Sequence, residues 1–115
     1  MGYLLHSLYD SLGLEQATDD PALFFDDELM VHFDETAQTL EMICPLGALP
    51  ADTDLLQRAL KMNYGGPVVL AADADGAALL ALVVMPEDSS GEELVAALGG
   101  LLQAALDIKR ELGFA

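Results

Sequence analysis

Apolar positions along this chain change period several times, and each change marks an element. Leu4, Leu5, Leu8 and Leu12 recur at helical spacing and predict a short, one-sided helix that Gly13 can end with a positive φ. Glu15 to Pro21 reads as a polar connection. From Leu29 the period drops to two, with Leu29, Val31 and Phe33 pointing one way and Met30 and His32 the other, which predicts a strand. Asp34 to Ala37 supplies turn residues before a second strand over Thr39 to Cys44, where Leu40, Met42 and Cys44 alternate with Glu41 and Ile43. The two form a hairpin. A third short strand near Leu23 to Phe25 is left open.

Pro45, Gly47 and Pro50 then interrupt the pattern, and Asp52 or Thr53 can cap a helix from about Asp54 to Met62. Its apolar set, Leu55, Leu56, Ala59, Leu60 and Met62, is broad enough to touch a sheet and something else besides. Gly65, Gly66 and Pro67 stop it. A second hairpin follows: Val68 to Ala72, the turn signal Asp75-Gly76, then Ala78 to Met85. Leu79 to Val84 has no polar side, so this strand is expected to be central in a sheet or covered on both faces. Ser90 and Glu93 stand at capping-box spacing and open a last helix, with Leu94, Leu98, Leu101, Leu102, Ala105, Ile108 and Leu112 on one face. Gly99-Gly100 inside it suggests a close backbone approach or a bend. The order is α-β-β(-β)-α-β-β-α: an α+β fold with an antiparallel sheet and three helices, in one domain over residues 1–115.

Charge changes the picture. Twenty acidic residues face four basic ones, a net charge of -16, in a chain that is 53% hydrophobic. Disordered acidic segments are poor in apolar residues, so this chain should fold. Its apolar surplus should be buried against another chain, with the charge keeping the remainder soluble. A dimer or a binding module follows. Nucleic acid and anionic membrane surfaces are disfavoured, because Arg58, Lys61, Lys109 and Arg110 make no basic cluster. Met1 to Leu14 lacks a basic leading region and does not read as a secretory signal, and no run is long and apolar enough to span a bilayer. The lone Cys44 has no internal disulfide partner, which points to a cytosolic setting and a buried thiol.

The search for chemistry is mostly negative. His6 and His32 have no nearby Cys or His at metal-ligand spacing and read as solvated or structural. Cys44 lacks any local sign of a nucleophile's turn. Asp73, Asp75 and Gly76 resemble the start of a calcium loop, but no distal Glu stands at the required offset, and a hairpin turn explains them better. Asp19, Asp20, Asp26, Asp27 and Glu28 form the densest acidic patch, readable as a carboxylate pair, a weak divalent-cation site, or a solvated face. Gly65-Gly66-Pro67 precedes a strand, the wrong context for a phosphate loop. No catalytic, metal or cofactor set is expected.

This order of elements, with a pI near 4.1, resembles the class I chaperones of bacterial type III secretion, the Tir-chaperone (CesT/SycE-like) family. The stretches that carry the resemblance are Leu4-Leu5…Leu8…Leu12-Gly13-Leu14, the pair Leu29 to Phe33 and Leu40 to Cys44, Leu55-Leu56-Gln57-Arg58-Ala59-Leu60-Lys61-Met62-Asn63, and the hairpin around Asp75-Gly76 leading to Leu79 to Val84. The resemblance implies a cytoplasmic bacterial homodimer without enzymatic activity or cofactor. It implies a virulence-related role in binding the extended N-terminal region of a secreted effector, with the secretion apparatus as a further partner. It also implies a dimer contact through Leu56, Leu60 and Leu82, with Val84 as a further candidate, and effector contacts among Leu5, Leu8, Leu29, Val31 and Phe33. Independently of the resemblance, a client held extended can add main-chain hydrogen bonds to a sheet edge and seat alternate side chains in apolar grooves. Two other classes stay open: an acidic inhibitor or nucleic-acid mimic, and a small cofactor-free enzyme.

Overall fold

The computed structural model describes residues 3–14, 22–25, 29–66 and 68–113. Eight elements follow one another: α1 (Tyr3–Leu12), β1 (Ala22–Phe25), β2 (Leu29–Glu35), β3 (Thr39–Ala48), α2 (Thr53–Asn63), β4 (Val69–Ala72), β5 (Ala78–Pro86) and α3 (Gly91–Leu112). The strands make one antiparallel sheet in the order β1-β2-β3-β5-β4. The short strand left open near Leu23 is present as β1. The polar connection expected at Glu15 to Pro21 and the acidic patch at Asp19, Asp20, Asp26, Asp27 and Glu28 lie outside the described residues.

Alternation sorts the sheet into two faces. On one, Leu29, Val31 and Phe33 of β2, Leu40, Met42, Cys44 and Leu46 of β3, and Leu79 and Ala81 of β5 are buried. This face is covered by α1, through Leu4, Leu5, Leu8 and Tyr9, and by α3, through Leu94, Leu98, Leu101, Ala105, Ile108 and Leu112. Tyr9 and Phe33 meet edge to face across the helix–sheet boundary, with centroids 6.1 Å apart. The thiol of Cys44 belongs to the same core, and burial pushes its pKa up, with Lys109 acting weakly the other way. It is a packed hydrophobe, not an activated nucleophile.

Local chemistry sets the boundaries. Ser90 and Glu93 cap α3 reciprocally: Ser90 Oγ accepts the Glu93 N–H at 3.1 Å, and Glu93 Oε1 accepts the Ser90 N–H at 2.8 Å. Gly113, with φ +80°, ends the helix. Asp52 caps α2 by accepting the Asp54 N–H at 2.9 Å.

Three expectations are corrected. β3 does not stop at Cys44 but runs on to Ala48, because a register shift between Pro45 and Gly47 absorbs the proline while the strand stays paired to β5. The second hairpin does not turn on two residues. Gly76 donates to the Asp73 carbonyl at 3.0 Å and the Asp73 side chain accepts from Ala77 and Ala78, widening the turn. Gly99 and Gly100 are exposed, and a side chain at either would meet nothing, so no backbone approaches there. The tight helix contact is at Gly91 instead, where a Cβ would strike Ser11 Oγ of α1. β5 is interior to the sheet, one of the two placements expected for it, and no helix among the described residues covers its second face.

Candidate functional site

The second face of the sheet carries apolar side chains, and no helix among the described residues covers it. Registers place Phe24 beside Met30, His32 beside Ile43, Ile43 beside Leu82, and Leu82 beside Val69, all on the side away from the core. Phe24 is 73% exposed, Val69 50% and Val84 49%, while Met30, Ile43, Leu80 and Leu82 are half-buried. This apolar band crosses all five strands. Single exposed hydrophobes are ordinary, but a contiguous apolar face on a small acidic protein marks an interaction surface.

The charged groups fixed on this open face are few and acidic. Asp34 stands directly opposite Glu41 across the β2–β3 pair, and Val84 lies opposite Glu41 across β5. The strands contain no lysine or arginine. Those residues sit in the helical layer, where Arg58 Nη1 donates to the Glu111 carbonyl at 3.2 Å and Arg110 pairs with Asp107 at 3.4 Å.

A second apolar feature flanks β4. Leu49, Leu56, Ala59, Leu60, Leu70 and Leu79 line an open groove of about 290 Å³ between α2 and the β4 edge. Leu60 stands on its rim, 69% exposed. The edge itself is partly closed: the Asn63 side chain donates to the Leu70 carbonyl at 3.3 Å and accepts the Leu70 N–H at 3.0 Å, imitating a neighbouring strand. At the opposite edge, no strand among the described residues pairs with the outer side of β1.

The sequence-derived residues fall into two groups. Leu56 and Leu60 line the α2 groove, and Leu82 lies on the open face beside Val69 of β4, so one short strand separates the three. Leu5, Leu8, Leu29, Val31 and Phe33 are all buried, at most 6% exposed. They join α1 and β2 to the core and offer no surface to a partner in this arrangement. Phe24 and Met30, which do, are not among the sequence-derived candidates, and Val84, which also does, is one only as a dimer contact. The face they share is set by strand register, and only Met30 was legible as lying opposite the Leu29–Val31–Phe33 side.

Among the described residues, no group of three His, Cys, Asp or Glu could hold a metal ion. No helix there is long and apolar enough to cross a membrane.

Comparison with known proteins adds four findings. A family model described as the type III secretion chaperone domain matches residues 3–112. The chaperone protein SigE of Salmonella typhi is 48% identical over 93 residues, 81% of this chain and 82% of that protein. Among solved structures, the Yersinia pestis type III secretion chaperone SycH, in complex with a fragment of YscM2, superposes with a TM-score of 0.70 at 24% identity, covering 92% of this chain and 97% of that one. The HopA1–SchA chaperone–effector complex gives a TM-score of 0.72 at 20% identity, covering 94% and 91%.

Proposed function

Because this chain belongs to the type III secretion chaperone family, we propose that it is a non-enzymatic chaperone that holds the N-terminal region of a secreted effector in extended form, soluble and competent for export. The observation that carries this reading is the uncovered apolar sheet face on a chain of net charge -16. Such a surface binds by area and shape, and needs no reactive group. The similarity to SycH bound to a YscM2 fragment and to the HopA1–SchA complex supports it.

The client surface is the β1–β2–β3 part of the open face with the adjoining end of β5, where Phe24, Met30, Ile43 and Val84 present apolar area, together with the outer edge of β1. An extended client strand can use both, giving side chains to the face and main-chain hydrogen bonds to the edge. The five buried leucine, valine and phenylalanine positions support this surface from beneath. The working unit is a homodimer joined through the α2 groove, with Leu56 and Leu60 central and Leu82 contributing from the adjoining sheet face. The groove is apolar throughout, and association would remove Leu60 from water. The protein acts in the bacterial cytoplasm, before its client is exported.

Co-purification of the tagged protein from the bacterium that encodes it, followed by mass spectrometry, tests this function. A stoichiometric partner retained through its N-terminal region is expected. Recovery of the chain with no bound protein, while a candidate effector stays soluble without it, would overturn the reading.

A further inference from the structure

We infer that the open face selects client segments in which an apolar run carries a lysine or arginine set against Asp34 and Glu41. The inference rests on the chaperone reading and names the chemistry of the partner. Asp34 and Glu41 are Cα partners on one face, so their carboxylates repel across the strand pair. No cation on the sheet offsets this, since the four lysines and arginines lie on α2 and α3. His32, two residues from Asp34, makes no ion pair with it among the described residues.

The surroundings of this pair make it selective. Ile43 follows Glu41 by two positions on β3, and Val84 faces Glu41 from β5, so the acids are embedded in the apolar band. A lysine or arginine can lay its aliphatic stem along Ile43 and Val84 while its charged end lies between the two carboxylates. It relieves a repulsion present in the free protein and meets two partners at once. A glutamate at that place would add a third negative charge, and glutamine would leave the repulsion unrelieved. Apolar area thus supplies the attraction common to all clients, and the acidic pair supplies the preference among them.

The test uses two synthetic peptides of alternating leucine and threonine, identical except for a central lysine in one and glutamine in the other. Affinities are measured for the full chain and for the double variant Asp34→Asn with Glu41→Gln, and backbone amide shifts report where each peptide sits. The lysine peptide is expected to bind the natural chain roughly three- to ten-fold more tightly, a preference that high salt and the double variant both abolish. Equal affinities, with shifts at Met30, Ile43 and Val84, would overturn the charge selection and leave the client surface standing. A lysine preference that survives the double variant would also overturn it, assigning the effect to the net charge of the whole chain. Absence of shifts on this face would overturn the inference too, and the chaperone function would then be judged on co-purification alone.

Discussion

The carboxylate of Glu35, near the end of β2, accepts the backbone N–H of Leu5 at 3.0 Å, satisfying one of the free donors in the first turn of α1. Thirty residues separate the two in sequence. The bond fixes where α1 starts on the sheet, and α1 brings Leu4, Leu5, Leu8 and Tyr9 into the core. A negative charge at a helix N-terminus also opposes the positive end of the helix dipole. Glu35→Ala should therefore cost about 1 kcal/mol in urea unfolding, and Glu35→Gln, which keeps an acceptor oxygen, less.

Leu8 and Leu60 separate packing from association. Leu8 is fully buried, so Leu8→Glu places an unpaired charge in the core and should abolish folding, seen as loss of cooperative unfolding by circular dichroism. Leu60 is largely exposed in the single chain, so Leu60→Asp should leave single-chain stability within about 0.5 kcal/mol while light scattering shows the dimer reduced to monomer. A Leu60→Asp protein that stays dimeric would move the interface away from the α2 groove.

Asn63 closes part of an exposed sheet edge with a single side chain. Its amide satisfies both outward backbone groups of Leu70, and Asn63→Ala should leave them open to any passing strand. Loss of the two bonds should cost about 1–3 kcal/mol, and the variant should form higher oligomers as its concentration rises. Static light scattering across a concentration series reads both the dimer and the excess.

Asp73 gives the second hairpin a pH dependence whose sign is determined by its hydrogen bonds. The N–H groups of Ala78 and Ala77 hold its carboxyl below the ordinary aspartate range. A folded-state pKa below the unfolded one stabilises the fold while the group is ionised. The contribution is therefore complete above the ordinary range and lost as pH falls through the lowered folded value. Asp73→Asn should be less stable than the natural chain at about pH 6, and the difference should shrink as pH falls towards and below about pH 3.

Much of this architecture was legible because local signals agree with tertiary ones. Alternation from Leu29 to Phe33 marks β2 and its faces, and Ser90 with Glu93 marks the start of α3, since both patterns are fixed by residues within one element. What was not legible depends on several elements at once. Leu8 and Leu60 occupy equivalent places in helical apolar stripes, yet one is core and the other surface, because α1 lies over the sheet while α2 sits at the β4 edge. The unbroken run Leu79 to Val84 reads as central in the sheet or covered on both sides, and only the placement of the helices decides between these: no helix among the described residues covers its Leu80–Leu82–Val84 side. Likewise, Asp34 and Glu41 become a pair only once the β2–β3 register is known, and the passage of β3 through Pro45 depends on a register shift that no local motif announces.

The central claim, that the uncovered sheet face holds the client, is tested most directly by hydroxyl-radical footprinting of the chaperone alone and in its purified client complex. Phe24 and Met30 are readily oxidised side chains on that face, and Tyr64, 92% exposed just beyond α2 on no strand, serves as a reference. The client should protect Phe24 and Met30 strongly while Tyr64 reacts as it does in the free protein. Oxidation of Phe24 and Met30 undiminished in a complex with client bound would contradict the account.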